Sequence, residues 1–253
     1  MGRIISVASQ KGGVGKTTTA INLGACLAQE SRRVLVIDID PQGNASSGLG
    51  VNGNDQAHSI YEVLLGHSEL GQAILPTMLA NLDLVPAGQR LSGAEVELVG
   101  LMARETRLRN AVGKVRDDYD FVLIDSPPSL GLLTVNALTA SDSVLIPLQC
   151  EYLALEGLTQ LIAAIRLVQD HLNPALRIEG VLLTMYDARL NLSQQVAEEA
   201  RKFFAERVYR TVIPRNVRLS EAPSFGKPIV LYDPHCTGAE SYRELALEVL
   251  DHA

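Results

Sequence analysis

A glycine-rich stretch near the start of the chain has the residue types and spacing of a phosphate-binding loop. Residues 10–18 read QKGGVGKTT and lie between an apolar segment, residues 4–8, and a helix predicted to begin near Lys16. Glycines let backbone N–H groups turn inward toward anionic oxygens, and a helix N-terminus adds positive potential. Lys16 is expected to contact the β- and γ-phosphates, and the Thr17 hydroxyl to contact Mg²⁺. The predicted nucleotide-contacting residues of the loop are Lys11, Gly12, Gly13, Val14, Gly15, Lys16, Thr17 and Thr18.

Carboxylates follow two apolar segments that have the pattern of buried strands. Asp38 and Asp40 end the segment over residues 33–40, and Asp125 ends the segment over residues 119–125. Ligand groups in open α/β sheets gather at such strand ends, so we expect these side chains beside the phosphate loop. An apolar strand ending in Asp is the Walker B pattern, which predicts that Asp125 holds Mg²⁺ through water, opposite Thr17. Asp40 precedes a polar segment rich in turn formers and is the best candidate to orient or deprotonate an attacking water.

In the rest of the chain, predicted strands and helices alternate. This arrangement would place the phosphate loop and the strand-end carboxylates at one edge of a sheet. Helices are predicted over residues 16–29, 59–65, 101–116, 151–170, 193–207 with Ser193 as N-cap, and 239–253, and a loop over residues 217–228. This alternation predicts a single doubly wound, mostly parallel sheet with helices on both faces, the P-loop NTPase fold. Because no linker composition interrupts it, we expect one P-loop ATPase domain over residues 1–253.

The composition of the chain argues against several classes of protein, including membrane-spanning and secreted proteins. Apolar residues make up 47% of the 253 residues, aromatics 4%, and Trp is absent, which favours an aliphatic core. No apolar run reaches the roughly 20 residues of a membrane span, and no signal peptide is recognisable. The three cysteines are far apart and match no metal-ligand spacing, so reduced thiols in a cytosolic protein are expected. A net charge of −7 argues against a uniformly basic nucleic-acid binder, but residues 177–230 carry nine basic and six acidic side chains.

Several motifs resemble one family. The loop, with its second lysine Lys11, resembles the deviant Walker motif of the ParA/MinD family of partition and positioning ATPases. Residues 149–152, 187–189 and 218–228 are similar to the chromosomal ParA/Soj branch, and the likeness covers residues 2–250. The resemblance therefore implies an ATP-dependent DNA partition ATPase, for a chromosome or a plasmid.

The resemblance also implies roles for individual residues. Catalysis would use Lys16, Asp40, and Lys11 reaching across an ATP-bound sandwich homodimer to the partner's phosphates. Pro214 and Asn216 would lie near adenine, and ATP is preferred because the chain lacks a guanine-recognition motif in that region. Non-specific double-stranded DNA would be bound by Arg189 and Arg218, with weaker contributions from Lys202 and Arg207. A ParB-type centromere-binding protein would stimulate hydrolysis, and the protein would be cytoplasmic and nucleoid-associated.

Three alternatives share some of these features. A MinD-like membrane-positioning ATPase has the same core but requires a basic amphipathic C-terminal helix. Residues 239–253 are acidic, which predicts a packing helix and no membrane partner. The nitrogenase iron protein type requires cluster-ligating cysteines, which the three present do not supply convincingly. A non-hydrolysing scaffold would not need the set Lys11, Lys16, Asp40 and Asp125.

Overall fold

The computed structural model describes residues 2–151 and 154–251, and in that part of the chain eight strands form one sheet. The strands are β1 (Arg3–Val7), β2 (Val34–Asp38), β3 (Leu75–Pro76), β4 (Leu82–Val85), β5 (Phe121–Asp125), β6 (Ser143–Gln149), β7 (Arg177–Tyr186) and β8 (Val208–Pro214). Their order is β3-β4-β2-β5-β1-β6-β7-β8, and every neighbouring pair is parallel except β3 and β4. This topology confirms the predicted doubly wound, mostly parallel α/β sheet.

Helices cover both faces of the sheet. They are α1 (Lys16–Gln29), α2 (Asn44–Gly48), α3 (Ile60–Leu65), α4 (Leu70–Ala73), α5 (Leu91–Val99), α6 (Arg107–Val112), α7 (Leu132–Ala140), α8 (Ala154–His171), α9 (Asn191–Phe204), α10 (Val217–Glu221), α11 (Ile229–Tyr232) and α12 (Thr237–Asp251). Alternate residues of a strand point to opposite faces, so Val36 of β2 belongs to the apolar cluster that includes α1 and α12, while its neighbour Ile37 belongs to the cluster that includes α3, α5 and α7. A third apolar cluster joins β6 and β7 to α8 and α9. The central strands are therefore buried on both sides, as the aliphatic composition predicts.

Of the helix predicted over residues 101–116, only the middle is an α-helix, α6 (Arg107–Val112), and residues 101–106 form turns between α5 and α6. Ala103 has a left-handed backbone, with φ 52°. The Asn136 side chain of α7 donates a hydrogen bond to the Arg104 carbonyl at 2.8 Å, and the Arg104 guanidinium donates to the Val99 carbonyl at 2.8 Å. These contacts satisfy backbone groups outside a helix, so tertiary packing overrides the amphipathic pattern.

Two smaller predictions also differ from the structure. α9 begins at Asn191 rather than after Ser193, and the Ser193 hydroxyl is buried and donates to the Cys150 carbonyl at 3.3 Å. The predicted loop over residues 217–228 contains α10 and a 3-10 turn at Ala222–Phe225. Residues 152–153 of the helix predicted over 151–170, and residues 252–253 of the C-terminal helix, lie outside the described residues. The other predicted helix starts agree with the structure to within a few residues.

α12 is a packing helix, as predicted for this part of the chain. Its apolar face lies in the core with α1 and β8. The hydroxyls of Tyr242 and Thr19 form a hydrogen bond of 3.1 Å that joins α12 to α1. Among the described helices, none is long and apolar enough to cross a membrane. All three cysteines are free, and Cys26 and Cys150 are buried.

Candidate nucleotide-binding site

The phosphate loop connects β1 to α1 with two left-handed glycines. Gly13 has φ 73° and Gly15 has φ 89°, a region that favours glycine. Gly12 has no positive φ, so its own conformation does not require glycine. A Cβ atom at Gly12 or Gly13 would meet no atom within 4 Å, which leaves open space over the loop. The Thr184 hydroxyl of β7 donates to the Val14 carbonyl at 2.8 Å and fixes the loop against the sheet.

Lys16 lies at the start of α1 with its side chain turned back into the loop. Its ammonium donates a hydrogen bond to the Lys11 carbonyl at 3.2 Å, and the residue is only 6% exposed. Burial lowers the pKa of Lys16, and the charges of Asp125 and Asp40 counteract part of that effect. The ammonium therefore lies in the field of both predicted site carboxylates and is fixed in place by the loop itself.

Asp125 is a fully buried carboxylate at the end of β5. It is 0% exposed, and neither of its oxygens has a hydrogen-bond partner of good geometry. Burial raises its pKa well above the usual range, the neighbouring Asp38 raises it further, and the Thr17 hydroxyl counteracts part of the shift. An unpaired buried carboxylate is costly, and a cation with its water shell is a partner that removes the cost. The donor set of Asp125 and Thr17 is all oxygen, which fits Mg²⁺.

Asp38 is the last residue of β2 and lies opposite Asp125 in the parallel register, and Asp40 follows two residues later. Burial raises the pKa of Asp38 to about 6, although hydrogen bonds from Ser46 and Asp40 counteract the shift. Asp40 is also buried, and one of its carboxylate oxygens accepts the Gln42 N–H at 2.9 Å. The structure thus brings Lys16, Asp40 and Asp125 to one edge of the sheet, as the sequence predicts.

A cavity of about 280 Å³ adjoins the phosphate loop. Gly15 and Thr18 line it from the loop, Pro214 and Asn216 from the end of β8, and Tyr242 from α12. The Asn216 side chain caps α10 by accepting the Arg218 N–H at 2.8 Å, which fixes its position. The two residues predicted near a base therefore lie next to the loop predicted to hold phosphates.

Sequence reasoning missed two residues of this site. Thr184 carries the only polar side chain among the buried residues 181–184 of β7, and Tyr242 lies on a helix near the C-terminus. Both contact the loop or α1 through pairings more than 100 residues apart in the chain. The one available signal was a polar residue inside an apolar strand.

Comparison with known proteins places the chain among partition ATPases. A family model described as an AAA domain matches residues 2–178. The sporulation initiation inhibitor protein Soj of Bacillus subtilis is 61% identical over 249 residues, 98% of each chain. The chromosome partitioning protein ParA of Myxococcus xanthus is 57% identical over 250 residues, 99% of this chain and 88% of the relative. The chain belongs to the ParA/Soj family of chromosome-partitioning ATPases.

Solved structures agree with the family in fold. A Mycobacterium smegmatis protein described as a cobyrinic acid a,c-diamide synthase, with bound ATP analog and magnesium, has 40% sequence identity and a TM-score of 0.87. The match covers 100% of this chain and 96% of that one. The cell division ATPase MinD of Pyrococcus furiosus has 30% identity and a TM-score of 0.82, over 100% of both chains. The ParA/Soj fold assigned from the sequence is therefore shared by nucleotide-binding relatives.

Two of the four basic residues predicted to bind DNA in this ParA/Soj chain lie at the nucleotide edge of the sheet. Arg189 follows β7, and its side chain is 89% exposed and paired with both oxygens of Asp187. Arg218 follows β8 and pairs with Glu221 at 2.9 Å and Asp233 at 3.4 Å. Both arginine side chains are more than half exposed.

The other two predicted DNA-binding residues lie elsewhere. Lys202 is in the last turn of α9, and Arg207 immediately precedes β8, at the opposite edge of the sheet. α9 is about 20 Å long and runs back along the sheet, which separates these side chains from Arg189. The structure therefore divides the predicted basic surface into two parts.

Proposed function

We propose that this chain is a single P-loop ATPase domain whose Mg²⁺- and ATP-bound homodimer binds non-specific double-stranded DNA and leaves it on hydrolysis. The observation that carries the proposal is the buried, unpaired Asp125 carboxylate beside Lys16 and the open phosphate loop. Buried carboxylates in native proteins are nearly always paired, and a hydrated cation is a partner that Asp125 can accept in this position.

Different residues of the chain would bind the phosphates, the metal ion and the base. Gly13 and Gly15 direct backbone N–H groups at the phosphates, Lys16 supplies positive charge, and Thr17 and Asp125 hold the metal, Asp125 through water. In the described part of the chain no group of three or more metal-ligating side chains is present. Phosphate oxygens and water would therefore complete the coordination, as is usual for Mg²⁺. Gly12, Val14 and Thr18 complete the loop, and Pro214 and Asn216 border the base.

Hydrolysis needs a group that orients water and charges that stabilise the transferring phosphoryl group. We assign the first role to Asp40 and the second to Lys16 together with Lys11 of the partner protomer. Within the described residues, the Lys11 ammonium makes no hydrogen bond or ion pair. In this proposal its partner is the nucleotide held by a second copy of the chain.

DNA binding and release follow from the dimer. A twofold axis doubles Arg189 and Arg218, so an acidic chain presents paired basic surfaces to phosphates. Lys202 and Arg207 are expected to contribute less, because they lie away from that edge. A ParB-type partner would stimulate hydrolysis and so return the protein to the free state, with the ATP-bound dimer on the nucleoid. A MinD-like membrane function is less well supported, because the apolar face of α12 packs on the core.

Binding to arbitrary duplex DNA tests the proposal. Wild type and Asp40→Ala are compared with ATP, with ADP and without nucleotide, at low and moderate salt. We expect ATP-specific binding that weakens steeply with salt and persists in Asp40→Ala, while turnover is lost. Dimers that form with ATP but do not bind DNA would reject DNA as the surface to which the protein attaches. Asp40→Ala that stays monomeric with ATP would reject the role of Asp40.

A further inference from the structure

Asp38 holds the segment that carries Asp40 at both of its ends. One Asp38 carboxylate oxygen accepts the Asp40 N–H at 3.1 Å, and the other accepts the Ser46 N–H at 2.8 Å. The second oxygen also accepts the Ser46 hydroxyl at 2.7 Å. Residues 40–46 are therefore closed into a loop whose two ends meet on one buried side chain of β2.

The Ser46 hydroxyl links this loop to a second strand. While it donates to Asp38, its oxygen accepts the Ala87 N–H, just after β4, at 2.9 Å. Ser46 is only 1% exposed, so water does not substitute readily for either bond. One side chain thus joins the ends of β2 and β4 to the first turn of α2. A serine that merely capped a helix would not need the bond to Ala87.

We propose that Ser46 is a positioning residue for hydrolysis, which holds the Asp40 segment at a fixed distance from the phosphate loop. The proposal rests on the role assigned to Asp40 under the proposed function. Without the hydroxyl, the Ala87 N–H loses its acceptor and Asp38 loses one of its donors, so the Ser46 N–H is the only bond that Ser46 still makes to Asp38. Asp40 then samples positions from which it does not orient water, and small displacements of a catalytic group cost large factors in rate.

Ser46→Ala and Ser46→Thr test the proposal, with Ser47→Ala as the matched control. Ser47 is the next residue of α2, is exposed, and its hydroxyl bonds only within the turn, to the Asn44 carbonyl at 3.2 Å. We expect Ser46→Ala to lower kcat about tenfold to a hundredfold with little change in the KM for ATP or in ATP-dependent dimerisation. Ser46→Thr, which keeps the hydroxyl, should recover most of the rate, and Ser47→Ala should match wild type.

Turnover of Ser46→Ala equal to wild type would overturn the proposal, as would equal losses in Ser46→Ala and Ser46→Thr with raised KM. Asp40→Ala, measured in parallel, separates the two ideas. Active Asp40→Ala would reject the role of Asp40 itself, whereas inactive Asp40→Ala beside fully active Ser46→Ala would reject only the positioning by Ser46.

Hydrogen exchange on the wild-type protein gives a test that does not depend on folding of a variant. The amides of Asp40, Ser46 and Ala87 each donate to the bonds described above, whereas Asn44 begins α2. We expect those three amides to exchange at least about tenfold more slowly than the Asn44 amide. Exchange of all four at similar rates would show that the segment opens freely and would overturn the proposal.

Discussion

Arg189 forms an ion pair with a carboxylate of its own chain. Its guanidinium donates to both carboxylate oxygens of Asp187, at 2.9 and 2.7 Å, although its side chain is almost fully exposed. Hydrogen bonds from Arg189 lower the pKa of Asp187 to about 2, so the pair stays ionised at neutral pH and loses its contribution only as the pH falls toward 2. If Arg189 binds DNA as proposed, DNA phosphates would compete with Asp187 for the same donors.

This competition predicts that Asp187→Asn strengthens DNA binding by the ATP-bound protein. The amide keeps the shape and one acceptor but removes a negative charge from the basic surface. We expect affinity for a random duplex to rise about twofold to fivefold, since exposed ion pairs are weak, with a steeper dependence on salt. Fluorescence anisotropy across a salt series measures both quantities.

Two comparisons make this result specific. Glu221→Gln, next to Arg218, is the matched change at the second arginine and should act in the same direction. Arg189→Glu should keep nucleotide binding and dimerisation but weaken DNA binding. Affinity that is unchanged in Asp187→Asn and in Arg189→Glu would remove Arg189 from the DNA-binding surface.

Some residues of the site could be predicted from the sequence and others could not. Lys16, Asp40 and Asp125 could be predicted because their strands, loop and helix are local patterns whose ends meet at one edge of a parallel sheet. Ser46 could not, because a serine in a polar segment is typical of a solvated turn. Its buried state depends on Ala87, which is 41 residues away.

At the scale of elements, the contact between α12 and β8 depends on one carboxylate. Glu248 is 6% exposed, and its two oxygens accept the N–H groups of Arg210 at 2.8 Å and Thr211 at 3.0 Å. Burial of Glu248 opposes ionisation, but these hydrogen bonds outweigh it and hold its pKa below the usual value of 4.5. The side chain therefore satisfies edge-strand N–H groups that no ninth strand covers in the described sheet.

Glu248→Gln is expected to lower the free energy of unfolding of the nucleotide-free protein by about 1–2 kcal/mol at pH 7. A depressed acid pKa contributes stability above its unfolded value, and that contribution is lost as the pH falls through the folded value. The difference between wild type and variant should therefore shrink as the pH is lowered below 4.5. Urea denaturation measures it, and Glu240→Gln, on the exposed face of α12, is the control. A difference independent of pH would show that the Glu248 charge does not stabilise this contact.

The elements themselves were predictable to different degrees. Strands buried on both faces and the helix after the phosphate loop carry strong local signals, and they agree with the structure. The break between α5 and α6 carries none, because it is stabilised by Asn136 of another helix. The predicted start of α9 was wrong for a related reason. Ser193 has the right residue type for an N-cap, but its hydroxyl donates a hydrogen bond to the Cys150 carbonyl instead.

At the scale of the whole molecule, charge and symmetry have to be considered together. The chain has a net charge of −7, and three arginines at the nucleotide edge, Arg189, Arg215 and Arg218, are each paired with a carboxylate. Under the proposed function, a monomer would have little attraction for DNA, whereas two copies related by a twofold axis would place their basic edges side by side. ATP-dependent dimerisation would thus control DNA binding without any change of fold.

The position of Lys11 makes the dimer testable by mixing two inactive chains. If Lys11 acts on the partner's nucleotide, a heterodimer of Lys11→Ala and Asp40→Ala contains one complete site, with the loop and Asp40 of one chain and Lys11 of the other. We expect each variant alone to be inactive and an equimolar mixture to recover up to about a quarter of wild-type ATP turnover, since half of randomly formed dimers are mixed and each has one complete site. If Lys11 instead acts on the nucleotide of its own chain, no site in the mixture is complete, and the steady-state rate stays at the level of the separate variants. Lys16→Ala mixed with Asp40→Ala is the control that should not recover, because Lys16 and Asp40 serve the same nucleotide in one chain.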